Sequence, residues 1–347
     1  MDALIKKKEG FDCMEVEDVP VPTPGPREVL IKIKAAGICG SDVLFYNGSL
    51  THCIPPVILG HEFSGEIVET GEQIEHYKVG DRVVSEPHKG GCGVCRYCQT
   101  GAVEACKSKR AIGYKIDGAF TSYIAMPETS LHRIPNNVSY EQAALSEPLA
   151  VAVKGVLERA KVEPNDFAVV LGCGPIGLLA AEAIKASGAR TVVITGTDGD
   201  ENIRLKAARK MNIDLVVNVQ KENLKEKVLQ LTNGLGADLV VEAAGVEATI
   251  SQAFDILRTD GRIAVLGHTG KDMLSMPWET GLHKAARVMW SFSSNWTSWE
   301  KTLSLLSRNQ ITTDEIITHK MPIKDWRKAI NLLENLEAIK VLLIPEH

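Results

Sequence analysis

The chain has 347 residues, of which 44% are apolar, and it carries a formal net charge of -5. This length exceeds what one hydrophobic core usually supports, so we expect two domains. The slightly acidic balance provides no basic patch for a nucleic acid or an anionic membrane, and we expect neither as a partner. The chain lacks a stretch of roughly 20 apolar residues and an apolar secretory signal, which predicts a cytoplasmic protein.

The first part of the chain is typical of a strand-rich domain. Short strand patterns cover residues 28–36, 65–68 and 82–85, and glycine and proline separate them. We therefore predict a barrel-like domain with long functional loops.

Two motifs in this part contain candidate ligands of a catalytic metal. Cys39 stands in Gly-Ile-Cys-Gly-Ser-Asp, and His61 and Glu62 stand in Gly-His-Glu-Phe-Ser-Gly. A thiolate, an imidazole and a carboxylate are ligands of catalytic zinc, which keeps a fourth position open. By themselves these residues are a weak signal, because a single cysteine is more often a small core residue.

Four further cysteines are closely spaced on a glycine-rich stretch. Four thiolates complete the tetrahedral shell of zinc and leave no position for chemistry, so we predict a structural zinc site. One alternative is an iron-sulfur cluster, which closely spaced cysteines also bind. The other alternative is four thiols that bind no metal. The cysteines are Cys92, Cys95, Cys98 and Cys106.

The pattern changes after Glu147 and Pro148, where strand and helix signals begin to alternate. Glu147 stands at this junction, where a cleft between domains is expected, and it is the third candidate metal ligand. The alternation predicts a parallel sheet with helices on both faces. Helix patterns cover 149–160, 178–186 and 204–211, and strand patterns cover 167–171, 191–195, 215–219, 238–242 and 262–267.

A glycine-rich turn follows the strand predicted over 167–171 and opens the next helix. Such a turn lets a pyrophosphate approach the free amides at a helix N-terminus, which predicts a dinucleotide site. A glycine turn in an unrelated α/β unit is the alternative. The turn consists of Gly172, Cys173, Gly174, Pro175, Ile176 and Gly177.

The acidic residue that usually binds the adenine ribose is missing after the second strand, where Thr195 is followed by Gly196. Asp198 or Asp200 could bind the ribose instead. Alternatively, these carboxylates could simply be exposed to solvent. The 2′-phosphate of NADP could instead face Arg204, Lys206 or Arg209. The sequence therefore does not decide between NAD and NADP as the cofactor. We also expect Gly267, at the end of the strand over 262–267, to contact the cofactor.

The last part of the chain has helix patterns over 299–307 and 325–337 and a strand pattern over 340–344. We predict that this part returns to the first domain. The predicted domains are therefore a catalytic domain over 1–149 and 288–347 and a dinucleotide-binding domain over 150–287.

With these elements in order, the chain resembles the zinc-containing medium-chain alcohol dehydrogenases over its full length, and most of all their polyol branch. That branch includes sorbitol (iditol), galactitol-phosphate and D-arabitol-phosphate dehydrogenases. The motifs that carry the resemblance are Gly60-His61-Glu62, the four-cysteine stretch, Gly118-Ala119-Phe120 and Ser146-Glu147-Pro148.

The resemblance implies a Rossmann domain, with a doubly wound parallel sheet, inserted into a GroES-like barrel, and a homodimer or homotetramer. It also implies that Cys39, His61 and Glu147 hold a catalytic zinc, with Glu62 as the alternative ligand. Ser41 would take the substrate proton. Many relatives have a histidine where this chain has Leu44, so the ribose hydroxyls or water would serve as the outer acceptor.

The predicted function is hydride transfer between a secondary alcohol and NAD or NADP. The alcohol is predicted to be a polyol or a polyol phosphate. Phe45 and Tyr46 are expected to influence substrate choice, and Phe292 stands where sorbitol dehydrogenases have an arginine. The alternatives are a simple alcohol, a sugar or L-threonine as substrate. A non-catalytic dinucleotide-binding scaffold is the alternative from another class.

Overall fold

The protein is described here by a computed structural model that covers residues 1–50 and 53–346. Two compact units divide between Glu147 and Pro148 and between Ser293 and Ser294, and residues 308–316 group with the second unit. The domain limits predicted from the sequence remain predictions. Among the described residues, none of the helices combines the length and the apolar character that crossing a membrane requires.

The first unit is built mainly of strands up to Glu147. Its strands are β1 Asp2–Lys6, β2 Met14–Asp18, β3 Glu28–Gly37, β4 Val57–Ile58, β5 Glu62–Thr70, β6 Arg82–Ser85, β7 Tyr123–Pro127 and β8 Leu131–Arg133. Its helices are α1 Gly40–Tyr46, α2 Arg96–Gln99 and α3 Tyr140–Ala143, and the helix α4 Ser146–Val153 contains the division between the units.

The second unit alternates strands with helices. Its strands are β9 Phe167–Leu171, β10 Thr191–Gly196, β11 Leu215–Asn218, β12 Ala237–Glu242, β13 Leu257–Val265 and β14 Arg287–Trp290. Its helices are α5 Pro175–Ala186, α6 Lys206–Ala208, α7 Leu224–Leu231, α8 Glu247–Ile256 and α9 Trp278–His283.

The strands of the second unit form one parallel sheet in the order β11-β10-β9-β12-β13-β14. This is the order of a doubly wound dinucleotide-binding fold, in which the first strand lies in the middle. Every residue of β9 is buried, as expected of a strand with helices on both sides of its sheet. The predicted fold class is confirmed for this unit.

Two of the helices predicted in this unit are partly π-helical, with more residues per turn than an α-helix. The pattern over 149–160 corresponds to α4 followed by a π-helical segment, Lys154–Arg159. The pattern over 204–211 corresponds to a π-helical segment, Glu201–Leu205, followed by the short α6. Apolar spacing predicts a helical face but does not distinguish these two windings.

The end of the chain contributes α10 Trp296–Ser307, β15 Ile317–Pro322, α11 Trp326–Glu334 and β16 Lys340–Ile344 to the first unit. The strands of this unit pair in the orders β15-β16-β3-β5-β6-β8, with β7 also on β3, and β2-β1-β4. Their shared core includes Ile31, Phe63 and Trp326. Strand β3 therefore has β5 and β16 as direct neighbours.

The register of β3 brings distant segments of the sequence together at one end of the sheet. Gly37, at the end of β3, lies opposite Glu62 of β5 and Leu342 of β16. Cys39 follows β3 by two residues, and His61 precedes β5 by one. The sheet thus positions Cys39, His61 and Glu62 next to each other.

Candidate active site

Cys39 lies at the start of α1 and is held there by a buried carboxylate. It is the residue before the first turn of the helix, and its backbone N–H donates to Asp42 Oδ2 over 2.9 Å. Ser41 lies in the same turn. Asp42 is fully buried, and burial, with the Glu62 charge adding to it, raises the pKa of its carboxyl to about 6. The sequence analysis did not identify Asp42 as part of the site.

Glu62 forms an ion pair with Lys340, a residue 278 positions away in the sequence. Lys340 Nζ lies 2.9 and 2.7 Å from the two oxygens of Glu62, and it also donates to the carbonyl of Ile38 over 2.9 Å. Both side chains are almost inaccessible to solvent. The sequence analysis predicted a strand that contains Lys340 but gave this residue no role. A lysine next to an apolar run could have indicated a buried ion pair.

The ligand atoms of Cys39, His61 and Glu62 all lie within 4.8 Å of one another, so these residues could hold a metal ion. His61 Nδ1 is buried and has no hydrogen-bond partner among the described residues. Although burial opposes charge on His61, its hydrogen bond to Cys39 and the nearby anionic groups raise its pKa to about 10. The donor set and its surroundings therefore fit a cation.

Glu147 lies in the first turn of α4 and is buried, but it is outside this close set of ligand atoms. Burial raises the pKa of its carboxyl to about 7, the Glu62 charge adds to this and the His61 charge opposes it. Glu147 and His61 are therefore near enough to influence each other electrostatically. The carboxylate that completes the metal site, Glu147 or Glu62, stays a prediction.

Tyr114 is a part of the site that the sequence analysis missed. Its hydroxyl lies 3.0 Å from Ser41 Oγ and 3.2 Å from His61 Nε2. Burial and the charges of Cys39 and Asp42 raise the pKa of the Tyr114 hydroxyl well above its usual value. Tyr114 lies in a loop 53 residues after His61, and no sequence motif connects it with the proposed metal ligands.

The four-cysteine stretch folds around one point. The four Sγ atoms lie within 4.8 Å of one another, and those of Cys95 and Cys98 are 3.6 Å apart. Sulfurs at about 2.3 Å from a tetrahedral zinc are about 3.8 Å apart, so the spacing fits this metal. Backbone N–H donors, that of Val94 first, lower the pKa of the Cys92 thiol to about 6, which favours the thiolate that binds zinc.

The glycine turn of the second unit has the geometry that pyrophosphate binding needs. Gly172 has a φ of +105°, and Gly174 caps α5, whose first residue is Pro175. A Cβ on Gly177 would lie 2.0 Å from the carbonyl oxygen of Gly172, so only glycine fits there. Ile176 lies in the first turn of the helix.

The other predicted cofactor residues lie after neighbouring strands at the same edge of the parallel sheet. Thr195 and Gly196 end β10, and the Gly172 N–H donates to Thr195 Oγ1 over 3.3 Å. Gly267 follows β13, and its N–H donates to the carbonyl of Glu242 at the end of β12 over 2.9 Å. In open α/β sheets ligands bind at this carboxyl edge.

Glu242 is a buried residue at this edge that the sequence analysis did not select. Its Oε1 accepts hydrogen bonds from the N–H groups of Ala244 and Gly245 and from Thr249 Oγ1, over 3.0, 2.8 and 2.7 Å. A Cβ on Gly267 would lie 2.3 Å from the other carboxylate oxygen. Glu242 thereby shapes the loop beside the predicted cofactor site.

The charged groups after β10 are paired with one another. Arg204 Nη1 lies 3.2 Å from Asp200 Oδ1, and Arg209 Nη2 lies 2.7 Å from Glu201 Oε1. Asp198 accepts a hydrogen bond from Asn218 over 2.8 Å and lies 3.3 Å from the Lys221 ammonium.

Comparison with known proteins agrees with both parts of this arrangement. Residues 25–136 match the family model of the alcohol dehydrogenase GroES-like domain, and residues 175–308 match that of the zinc-binding dehydrogenases. A sorbitol dehydrogenase from Halalkalibacterium halodurans is 40% identical over 99% of both chains. The chain belongs to the zinc-dependent alcohol and polyol dehydrogenase family.

Other relatives in this family differ in the substrates that their names state. A D-arabitol-phosphate dehydrogenase from Enterococcus avium is 35% identical over 99% of this chain and 97% of its own. An L-threonine 3-dehydrogenase from Bacillus licheniformis is 36% identical over 99% of both chains.

Solved structures share the fold over its whole length. Galactitol-1-phosphate dehydrogenase from Escherichia coli has a TM-score of 0.89 and 27% identity, and covers 99% of this chain and 100% of its own. A protein described as a zinc-binding dehydrogenase, from Sinorhizobium meliloti 1021 and bound to NADP, has a TM-score of 0.91 and 28% identity over 99% of both chains. This protein is thus a zinc-dependent, NAD(P)-linked dehydrogenase that combines a GroES-like and a Rossmann-type domain.

Proposed function

We propose that this enzyme oxidises a secondary hydroxyl of a polyol or polyol phosphate and transfers the hydride to NAD. The observation that carries the proposal is the set formed by the half-buried Cys39 and the buried His61 and Glu62, whose ligand atoms lie within 4.8 Å of one another. The polyol class is supported by relatives named sorbitol, D-arabitol-phosphate and galactitol-1-phosphate dehydrogenase.

Cys39 and His61 would hold the catalytic zinc together with one carboxylate, Glu147 or Glu62. Both oxygens of Glu62 are already engaged by Lys340, so its binding to a metal would weaken that ion pair. The buried Glu147 carboxylate is acted on by the charges of His61, Lys340 and Lys109 but is in none of the ion pairs found among the described residues, so we favour it as the ligand of the resting enzyme. Cys92, Cys95, Cys98 and Cys106 would hold the structural zinc.

A bound zinc ion supplies Lewis-acid assistance to the loss of a proton from an alcohol. Ser41 would accept this proton while passing its own hydroxyl proton onward, and Asp42 holds the turn that contains Ser41. Leu44 cannot act as a proton acceptor, so the outer acceptor is a ribose hydroxyl or water. The turn from Gly172 to Gly177 would bind the pyrophosphate and so fix the position of the nicotinamide.

Steady-state assays with a panel of substrates test this proposal. The panel contains sorbitol, D-arabitol, their phosphates, 2-butanol and L-threonine, each with NAD and with NADP. We expect kcat/KM for at least one polyol or polyol phosphate to exceed those for 2-butanol and L-threonine by about tenfold or more, which is about 1.4 kcal/mol. Preferred oxidation of L-threonine would contradict the substrate class, and cofactor binding without oxidation of any alcohol would favour the scaffold.

We further propose that NAD is preferred over NADP. Of the three basic residues that could face a 2′-phosphate, Arg204, Lys206 and Arg209, the two arginines are each paired with a carboxylate, and the neighbouring Lys221 is paired with Asp198. A phosphate placed among these carboxylates would be repelled. We expect kcat/KM for NAD to exceed that for NADP by at least about tenfold.

An Asp198→Asn variant sharpens the cofactor test, because it removes one anionic group and leaves Lys221 with only its longer contact, at 3.8 Å, to Glu201. The ratio of kcat/KM for NAD to that for NADP should fall by about threefold or more, with the polyol preference unchanged. An equal or higher ratio in this variant would argue against the charge-based preference.

We also propose that the enzyme is a homodimer formed along β14. This strand lies at the edge of the parallel sheet, and edge strands readily pair with another chain. Large apolar side chains in β14 and in the segments just before and after it in the sequence are exposed to solvent, which is unusual unless a partner covers them. They are Met273, Trp278, Leu282, Trp290 and Phe292.

A Trp290→Glu substitution tests this interface by light scattering coupled to size-exclusion chromatography. In a two-fold symmetric dimer the substitution places two glutamates at the same interface, which should prevent the dimer from forming. The variant should therefore have half the mass of the wild-type dimer. Val79→Glu, at another exposed apolar residue, should retain the wild-type mass. A monomeric wild-type enzyme, or an unchanged mass of the Trp290 variant, would refute the proposed dimer.

The thiol-based zinc ligands also favour the cytoplasm as the location of the enzyme. A reducing compartment keeps thiols available to metals and opposes disulfide formation.

A further inference from the structure

The Tyr114 hydroxyl lies at hydrogen-bonding distance from two groups of the proposed active site. It is 3.0 Å from Ser41 Oγ, the proposed proton acceptor, and 3.2 Å from His61 Nε2, on a proposed metal ligand. Tyr114 is only partly buried, whereas His61 is buried. The phenol therefore borders the place where the reacting hydroxyl must lie.

Contacts with two other rings fix the position of the Tyr114 ring. Phe45, which is fully buried, meets it edge-on at a centroid distance of 5.2 Å, and the His61 ring is 4.9 Å away. Aromatic pairs at these distances are favourable and restrict the rings. The Tyr114 hydroxyl thus has a defined position relative to Ser41.

The loop that contains Tyr114 is anchored to the segment that contains His61. Gly113 has a φ of +72°, and a Cβ there would lie 2.7 Å from the carbonyl oxygen of Gly60. The Tyr114 carbonyl accepts a hydrogen bond from the Ile54 N–H over 2.8 Å. The close approach of Gly113 to Gly60 keeps the Tyr114 hydroxyl beside the imidazole.

We propose that Tyr114 determines specificity by binding a second substrate hydroxyl, on the carbon next to the one that is oxidised. This inference rests on the proposed function, which supplies the reacting hydroxyl beside Ser41. Neighbouring hydroxyls of a polyol are separated by about the length of a hydrogen bond, as are Ser41 Oγ and Tyr114 Oη. The pair of protein hydroxyls therefore matches a pair of vicinal substrate hydroxyls.

The hydrogen-bonding capacity of the phenol permits this role. A tyrosine hydroxyl donates one hydrogen bond and also accepts, so it can bind a substrate hydroxyl beside its existing neighbours. The nearby Leu44 and Phe45 have apolar side chains and cannot replace it. A monoalcohol would leave this polar group without a substrate partner, and sites built around such a group discriminate strongly against analogues that lack the hydroxyl.

A Tyr114→Phe variant tests the inference with 2,3-butanediol and 2-butanol, which differ by one vicinal hydroxyl. The ring contacts with Phe45 and His61 are retained, and the hydroxyl is lost. We expect the ratio of kcat/KM for the diol to kcat/KM for 2-butanol to fall by about 10- to 100-fold. Tyr140→Phe, which removes a hydroxyl bonded to Glu66 over 3.4 Å, is the matched control and should leave both values unchanged.

Two measurements without turnover accompany the kinetics. Zinc content should remain that of the wild type, which shows that the metal sites are intact. In fluorescence titrations of the enzyme with NADH bound, the dissociation constant of 2,3-butanediol should rise by about tenfold or more in Tyr114→Phe. That of 2-butanol should stay within about threefold of the wild-type value.

The outcomes separate the inference from the function on which it rests. An equal loss for both alcohols would mean that Tyr114 acts only through Ser41, and unchanged values for both would mean that its hydroxyl binds no substrate. Either result overturns the inference while the wild-type enzyme still oxidises alcohols. A wild type that oxidises none of the alcohols in the panel would instead refute the proposed function.

Discussion

Replacing Cys39 by alanine is expected to reduce turnover by at least about 10³-fold for every alcohol. Cys39 is the proposed thiolate ligand at the start of α1, and its ligand atom lies within 4.8 Å of those of His61 and Glu62. Lewis-acid stabilisation by a metal contributes several kcal/mol to a reaction of this kind, and each 1.4 kcal/mol is about tenfold in rate. Zinc content should fall from two ions to one per chain.

The fold and cofactor binding should survive this change, because the turn from Gly172 to Gly177 belongs to the other unit. NADH binding measured by fluorescence should therefore stay close to that of the wild type. Cys13→Ala is a matched control, since the Cys13 thiol is partly exposed and donates to the nearby Phe11 carbonyl. Wild-type turnover in Cys39→Ala would show that the catalytic metal is not held there.

Replacing Cys95 by alanine is expected to remove the second zinc ion and to lower stability by several kcal/mol. Zinc binding to closed cysteine sites releases about 10–16 kcal/mol in isolated fingers, and this energy contributes directly to folding. The lobe around Cys95 has short elements, α2 with four residues and a turn of 3-10 helix at Val103–Ala105, so little else holds it together. Zinc analysis and thermal unfolding would measure both effects.

Thr100→Ala serves as the control within the same lobe, because it removes a hydroxyl that donates to the Arg96 carbonyl over 2.9 Å but no metal ligand. It should keep two zinc ions and lose no more than about 1 kcal/mol of stability. If Cys95→Ala also kept two zinc ions and the wild-type melting temperature, the lobe would not be a structural metal site.

The ion pair between Lys340 and Glu62 explains how a carboxylate can be buried next to a metal site. An isolated buried carboxylate is costly, and a buried lysine is equally so, but each compensates the other in a fully enclosed pair. The charge of Glu62 raises the pKa of Lys340 although burial opposes it, which keeps the ammonium protonated. In the proposed site, Glu62 therefore balances Lys340, and Glu147 is left to interact with the metal.

Strands with continuous apolar runs were predicted from the sequence, whereas two amphipathic helices were missed. The pattern over 167–171 is identical to β9, and the pattern over 340–344 is identical to β16. Helices α7 and α8 were not predicted individually, although apolar residues recur at helical spacing in each, as Leu224 and Val228 do in α7 and Ile250 and Phe254 in α8. The edge strand β14 was also missed, since only one of its sides pairs within the described chain and its residues are partly or fully exposed.

The sequence by itself determined the chemistry that is encoded in local spacing. Four cysteines within 15 residues predicted their own cluster, and the glycine turn after a buried strand predicted a dinucleotide loop, because in both cases the interacting groups are near neighbours in the chain. Tertiary structure alone decided the contacts of Tyr114 with Ser41 and of Lys340 with Glu62, across 73 and 278 residues. Such pairs depend on the register of β3 with β5 and β16, and no local pattern of side chains specifies which strands become neighbours.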